Sequence, residues 1–165
     1  MILCSFNNFK FIDQKSYHLF LSGINFGSLV CPKCGQRHLI GYGYYTRSFI
    51  TASTTVQLDI QRVFCKHCHS THALLPAFLV PYSRFPVHVL SDIIINDPER
   101  MMILYQISME SVRRIRSMFR QVWSRLLPPG WRSLSTTEIT AFCCSRFERQ
   151  FMQVRFLFIS IYTPT

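Results

Sequence analysis

The sequence predicts an α+β protein, a small β ribbon built on metal ligands followed by a helical module, and three observations predict it. Two Cys-x2-Cys pairs, Cys31/Cys34 and Cys65/Cys68, bracket thirty residues rich in β-favouring side chains. From residue 83 to 130, proline, N-cap and apolar-spacing signals read as short helices. At 48% hydrophobic and 15% aromatic, 165 residues suffice for one modest core or two very small ones. Fifteen phenylalanines argue against global disorder. The expected organisation is an N-terminal extension (1–30), the ribbon (31–82), the helical module (83–130) and a C-terminal extension (131–165).

The ribbon rests on its cysteines. Each Cys-x2-Cys folds as a tight knuckle with both sulfurs turned to one ion. Pro32 fixes its own φ, and Gly35 supplies the left-handed conformation that a knuckle exit favours. Two knuckles give Cys31, Cys34, Cys65 and Cys68 as four thiolates. They form a closed tetrahedral shell suited to structural Zn²⁺, with no open position for substrate. A thirty-residue spacer exceeds the roughly 15–20 residues of a common zinc ribbon, so its contents matter. TVQLDIQRVF at 55–64 alternates Val56, Leu58 and Ile60 with Gln57, Asp59 and Gln61, the period of a half-buried strand. HLIGYGYYTRS at 38–48 is aromatic and β-favouring despite Gly41 and Gly43, and FITAST between them makes a loop. The bland alternative is two unrelated cysteine pairs on separate surfaces. A redox Cys-x2-Cys lacks its βαβ setting. Histidines 38, 67, 69 and 72 crowd the same region. Four thiolates already fill a shell, so His72 is read as a hydrogen-bonded residue closing the second knuckle. Cys4, Cys143 and Cys144 have no partner spacing and read as small apolar residues.

The helical module begins after LLPAFLVPY, where Pro76, Pro81 and Pro86 mark an extended connector. Pro86 opens a first helix carrying Val87, Leu90, Ile93 and Ile94 and ending near Asn96. Asp97-Pro98-Glu99 opens a second, with an N-cap, proline at the first position and an acid in the first turn. Ser108 caps a third, with Val112, Ile115, Phe119, Val122 and Leu126 as its apolar face and Pro128-Pro129-Gly130 as its stop. A short helix, a tight turn and a longer basic helix make the helix-turn-helix pattern. On the third helix, Ser111, Arg113 and Arg114 are assigned to the DNA groove, and Arg116 and Arg120 to phosphates, with Ser117 on the same outer face. Against this stand a merely solvated basic face, or a short coiled-coil seam through which the chain forms a homodimer.

The charge balance agrees with DNA. Eighteen Lys and Arg against eight Asp and Glu give a formal +10, which favours a polyanionic partner, nucleic acid before an acidic membrane surface. MILCSFNNFKFID has neither a basic n-region nor a clean apolar h-region. The apolar stretch FLFISIY at 156–162 is far short of the ~20 residues a bilayer needs. The expected location is cytoplasmic with no membrane partner. Seven cysteines in a reducing compartment then argue for metal rather than disulfides.

The run CPKCGQ…IQRVFCKHCHSTHALLPAFLVPY followed by a helix-turn-helix resembles the N-terminal region of bacterial insertion-sequence transposases and related short mobile-element proteins of uncharacterised function. The resemblance spans roughly residues 28–127. It implies DNA binding at element ends and Cys31, Cys34, Cys65 and Cys68 as ligands. Those transposases continue into a catalytic domain with three carboxylates holding two metal ions. Here only Glu138 and Glu148 follow the third helix, so no such nuclease is expected. The expected protein is therefore not an enzyme but a DNA-binding part, a regulator or remnant or the partner of a separate transposase core. A zinc-ribbon adaptor for protein partners is the alternative. At the ends, residues 1–30 are aromatic without a clear period and are expected to add a strand or helix to the ribbon. Residues 136–153 read as a helix and 154–161 as a strand.

Overall fold

The structure, a computed structural model, describes residues 1–5, 13–52, 54–155 and 159–162. It is mixed α+β, and its chain divides into two compact units. A sheet unit takes Met1–Ser48, Gln57–Ala77 and Leu157–Thr165; a helical unit takes Phe49–Val56 and Phe78–Phe156. The units interleave along the chain. The N-terminal stretch supplies a strand and a helix to the sheet unit, and the C-terminal stretch supplies a helix to the helical unit and a strand to the sheet.

The sheet is larger than a ribbon. Its five strands are β1 (Ile2–Cys4), β2 (Leu39–Ile50), β3 (Thr55–Cys65), β4 (Thr71–Pro76) and β5 (Ser160–Tyr162), in the order β2-β3-β4-β1-β5. The expected strands at 38–48 and 55–64 form as β2 and β3. Strand β4, within a stretch read as loop and connector, pairs antiparallel with β3 in the register Arg62↔Ala73, Val63↔His72 and Phe64↔Thr71. It then runs parallel to β1, Ile2↔Leu74 to Cys4↔Pro76, and β1 is parallel to β5 on its other side. Pro76 brings no N–H to that pairing; Ala77 donates to the Cys4 carbonyl at 2.8 Å. The expected 154–161 strand is met only by β5, since 156–158 lie outside the described residues, as do Phe6, Phe9 and Phe11.

Helix α1 (Gln14–Ser22) is capped by Asp13, whose carboxylate accepts from Ser16 N. Its Tyr17 is fully buried, and the hydroxyl lies where β4 turns from β3 towards β1. It donates to Leu74 O at 2.7 Å and accepts from Gln61 N at 3.1 Å, bridging two strands whose backbones part there. This corrects one expectation. Gln61, placed on the solvent face of β3 by its alternation, is 4% exposed. Its amide donates to Gly43 O at 3.0 Å and Arg62 O at 2.6 Å. Gly43, at φ +70°, takes a conformation that interrupts the regular pleat of β2 and offers this carbonyl.

In the helical unit, α2 (Val87–Ile95), α3 (Pro98–Tyr105), α4 (Met109–Gln121) and α5 (Thr136–Phe147) enclose one apolar cluster, with Ile93, Val112, Ile115, Phe119, Trp123 and Phe151 at its centre. The start signals are where they were expected. Asp97 accepts from Arg100 N at 2.9 Å, and Ser108 from Ser111 N at 3.2 Å. Pro86 is the N-cap of α2, one position before the expected first turn. A capping box of Ser135 and Glu138 starts α5. The end of α4 departs from expectation. The helix stops at Gln121, not at Pro128, and Trp123–Arg125 continues as a 3₁₀ turn. Three residues per turn rotate the chain faster than 3.6, so Trp123 and Leu127 enter the core. Val122 and Leu126, expected in the apolar stripe, are 45% and 38% exposed. The buried apolar face of α4 therefore ends at Phe119.

Candidate metal centre and basic helix

Two turns of the sheet unit carry the cysteines, and they are built alike. In the first, Cys31 N donates to Gln36 O at 2.8 Å and Gly35 N to Cys31 O at 2.9 Å. In the second, Cys65 N donates to Ser70 O at 2.9 Å and His69 N to Cys65 O at 2.9 Å. Both turns need a left-handed residue at the fifth position. Gly35 meets this at φ +72° without strain; His69 meets it at φ 55° with a side chain that must be held elsewhere.

The turns bring Cys31, Cys34, Cys65 and Cys68 together, with all four sulfurs within 4.8 Å of one another. Sulfurs bound at about 2.3 Å to one tetrahedral ion stand about 3.8 Å apart. Across the turns, Cys31 Sγ lies 3.6 Å from Cys68 Sγ, and Cys34 Sγ lies 3.7 Å from Cys65 Sγ. These separations fit one shared ion and are far beyond the roughly 2.05 Å of a disulfide. The four cysteines are thus positioned to bind a metal ion.

Electrostatics point the same way. Hydrogen bonds from Ser70 hold the Cys68 thiol down at about 6, helped by Cys31 and Cys34. A backbone hydrogen bond from Gln36 pulls the Cys34 thiol down, but desolvation and the neighbouring Cys31, Cys68 and Cys65 outweigh it and push it up to about 12. Clustered thiolates repel, so the site resists full ionisation until a cation compensates it.

His72 stands beside the four as expected. It is 7% exposed, with Nε2 3.2 Å from Cys31 Sγ and Nδ1 3.3 Å from the Met1 nitrogen. Burial first, then the nearby N-terminal amine and Lys33, lowers its pKa to about 4, so it is a neutral ring whose Nε2 can donate to the Cys31 thiolate. His67 is exposed, and His38 is held by a backbone bond from its N to Gly27 O at 2.9 Å. Cys4, Cys143 and Cys144 are buried, and desolvation raises all three thiols, the last two to about 12.

In the helical unit, α3 ends on Gln106 at φ 50°, and residues 106–108 turn the chain into α4. Val112, Ile115 and Phe119 are buried, which leaves Arg113, Arg114 and Arg120 exposed, with no ion pair among the described residues. Ser111 Oγ sits 2.9 Å from Ser108 Oγ in the cap, and Ser117 Oγ accepts from Gln121 at 3.1 Å. Arg116 differs from its expected phosphate role. Its guanidinium reaches into the unit, with Nε donating to Ile93 O at 2.8 Å and Nη2 donating to Ile94 O and Asn96 O. It caps the C-terminus of α2, where carbonyls lack helical partners.

Sequence reasoning missed Arg84. It faces Ser111 and Arg114 across a cleft of about 520 Å³ floored by Phe85, Ile115 and Met118. Only the fold brings this loop arginine to α4, since Ile50 N bonds Arg84 O at 2.9 Å and Val87 N bonds Phe78 O at 2.8 Å. No helix among the described residues is long and apolar enough to cross a membrane.

A sequence family described as a domain of unknown function, DUF6431, matches residues 31–115, from the first cysteine to the middle of α4. No curated protein and no solved structure matches the chain.

Proposed function

The chain belongs to the DUF6431 family across the segment holding both cysteine pairs, and we propose that it is a DNA-binding protein of transposase-like, mobile-element type. Zn²⁺ is the ion of its four-thiolate shell, because an all-sulfur tetrahedral set suits that ion and leaves no position for substrate. The metal's part is structural: it ties the turn before β2 to the turn after β3. The helices α3 and α4 act as a helix-turn-helix, with α4 entering the major groove of duplex DNA. Ser111, Arg113 and Arg114 meet base edges, while Arg120 holds a phosphate. Arg84 joins them from the far side of the cleft, and Arg116 keeps α4 on α2.

One observation carries the reading. The helical unit holds eleven arginines and no lysine against six acids, and three of those arginines stand exposed on one helix behind a tight left-handed turn, with no ion pair among the described residues. Arginine's planar fork suits guanine edges and phosphates better than it suits a merely solvated face. The reading places the protein in the cytoplasm, beside a separately encoded transposase core.

Titration of duplex DNA at several salt concentrations tests it. Affinity falls with a log–log slope of roughly 0.9 per phosphate neutralised. Arg113→Ala with Arg114→Ala weakens binding while metal content stays intact. Absence of binding at low salt, or the same affinity in the double variant, refutes the assignment.

A further inference from the structure

One sheet-unit surface has no place in that reading. On β2, Ile40 is 41% and Tyr42 51% exposed, although both stand on a strand of the sheet. Four rings and planes follow one another there. The Arg62 guanidinium lies over the Tyr42 ring, 5.5 Å from its centroid. Tyr42 lies 5.4 Å from Phe64, and Phe64 is parallel, within 2°, to His69 at 6.1 Å. The left-handed backbone at His69 thereby gains a reason, for it sets the imidazole plane against the phenyl plane.

The surroundings of this ladder are cationic. The Arg62 side chain makes no hydrogen bond among the described residues: its Nε is buried without a partner and its guanidinium lies over the Tyr42 ring, so no carboxylate neutralises its charge. Arg37 and Lys66 are exposed beside the cysteine turns. The sheet unit contains two acids only, and both are occupied elsewhere: Asp13 caps α1, and Asp59 accepts from the Thr46 hydroxyl at 2.7 Å. Two exposed rings, Tyr42 and His69, flank the half-buried Phe64, and a cation without a carboxylate partner stands at one end; together they complement a chain of anions that bears flat rings.

We propose that the Tyr42–Phe64–His69 ladder, with Arg62 at its head, is a stacking platform for the unpaired bases of single-stranded DNA. Every base has a π-face, so such a platform tolerates any sequence, while the cation holds the backbone. Duplex DNA keeps its bases stacked on one another and cannot use it. The site is independent of α4, and its success or failure can be separated from that of the duplex reading.

Anisotropy of fluorescein-labelled oligo(dT) with the metal-loaded full chain tests the proposal. Tyr42→Phe keeps the ring and binds within about twofold of wild type, whereas Tyr42→Ala loses roughly tenfold, the scale of one stacking partner. The Arg113→Ala/Arg114→Ala variant retains oligo(dT) binding. Should Tyr42→Ala disturb folding, photocrosslinking of wild type to iodouracil-substituted oligonucleotide gives the answer, with adducts expected on Tyr42, Phe64 or His69. Unchanged affinity in folded Tyr42→Ala, loss of oligo(dT) binding in the arginine variant, or adducts confined to the helical unit overturns the proposal.

Discussion

The cysteine end of the sheet unit and the three-helix end of the helical unit both join segments distant in sequence, but by different forces. At the cysteine end, two small turns meet through four thiols. Like charges repel there unless a cation intervenes, and the four sulfurs are positioned for one ion to hold the contact by coordination. At the helical end, α2, α3 and α4 meet through Ile93, Met101, Ile115 and Phe119, and apolar area holds the contact without a ligand. The lesson concerns sensitivity. One end responds to chelators, acid and thiol reagents, and the other to lost methylenes.

The largest test removes the ion. A strong chelator, or Cys65→Ala, opens the cysteine end and exposes the amides of residues 31–36 and 65–70 to hydrogen exchange, while the amides of α2 and α4 remain protected. Acid acts in the same direction. Thiols must lose their protons to bind, so metal affinity falls as pH falls. Equal deprotection of both ends would erase the contrast.

Next comes the apolar end. Phe119 packs on Trp131 at 5.1 Å between centroids and is 8% exposed. Phe119→Ala costs about 3–5 kcal/mol in denaturant unfolding, with metal stoichiometry unchanged in the protein that remains folded.

A smaller effect separates arginines on one helix. Arg116→Met strips donors from the Ile93, Ile94 and Asn96 carbonyls and costs roughly 1.5–3 kcal/mol. Arg113→Ala stays within about 0.5 kcal/mol in the same measurement. Equal costs would mean that Arg116 is as free as its neighbour.

The smallest test compares the two turns. Gly35→Ala puts a Cβ into a left-handed position and weakens metal retention by about 1 kcal/mol. His69→Gly relieves that strain but removes the ring stacked on Phe64, so its net effect is smaller. Competition with a chromophoric chelator reads both.

The four clustered cysteines were legible because knuckle geometry is local: each Cys-x2-Cys specifies its own turn, with Gly35 or His69 in the left-handed fifth position, and only the pairing of the two turns needed the fold. Two helix starts were legible for the same reason, since Asp97 and Ser108 accept from backbone N–H groups three residues ahead; the Ser135 cap of α5 was not. Period two in β3 gave the strand but misplaced Gln61, because Tyr17, forty-four residues away, fills the gap in the ladder. Strand β4 carries no alternation, being buried along His72 to Pro76, and its pairing with the β1 residues Ile2–Cys4 involves contacts some seventy positions apart.

By itself, then, the sequence determined what depends on neighbours in the chain: caps, knuckles, the two long strands and the positive charge. Tertiary structure decided what depends on partners far along it, namely the inward turn of Arg116, the arrival of Arg84 beside α4, the burial of Gln61 and the alignment of Tyr42, Phe64 and His69. The physical reason is range. Backbone hydrogen bonds within a turn are set by a few adjacent dihedrals, whereas packing and side-chain capping are set by which surfaces meet once the chain has folded.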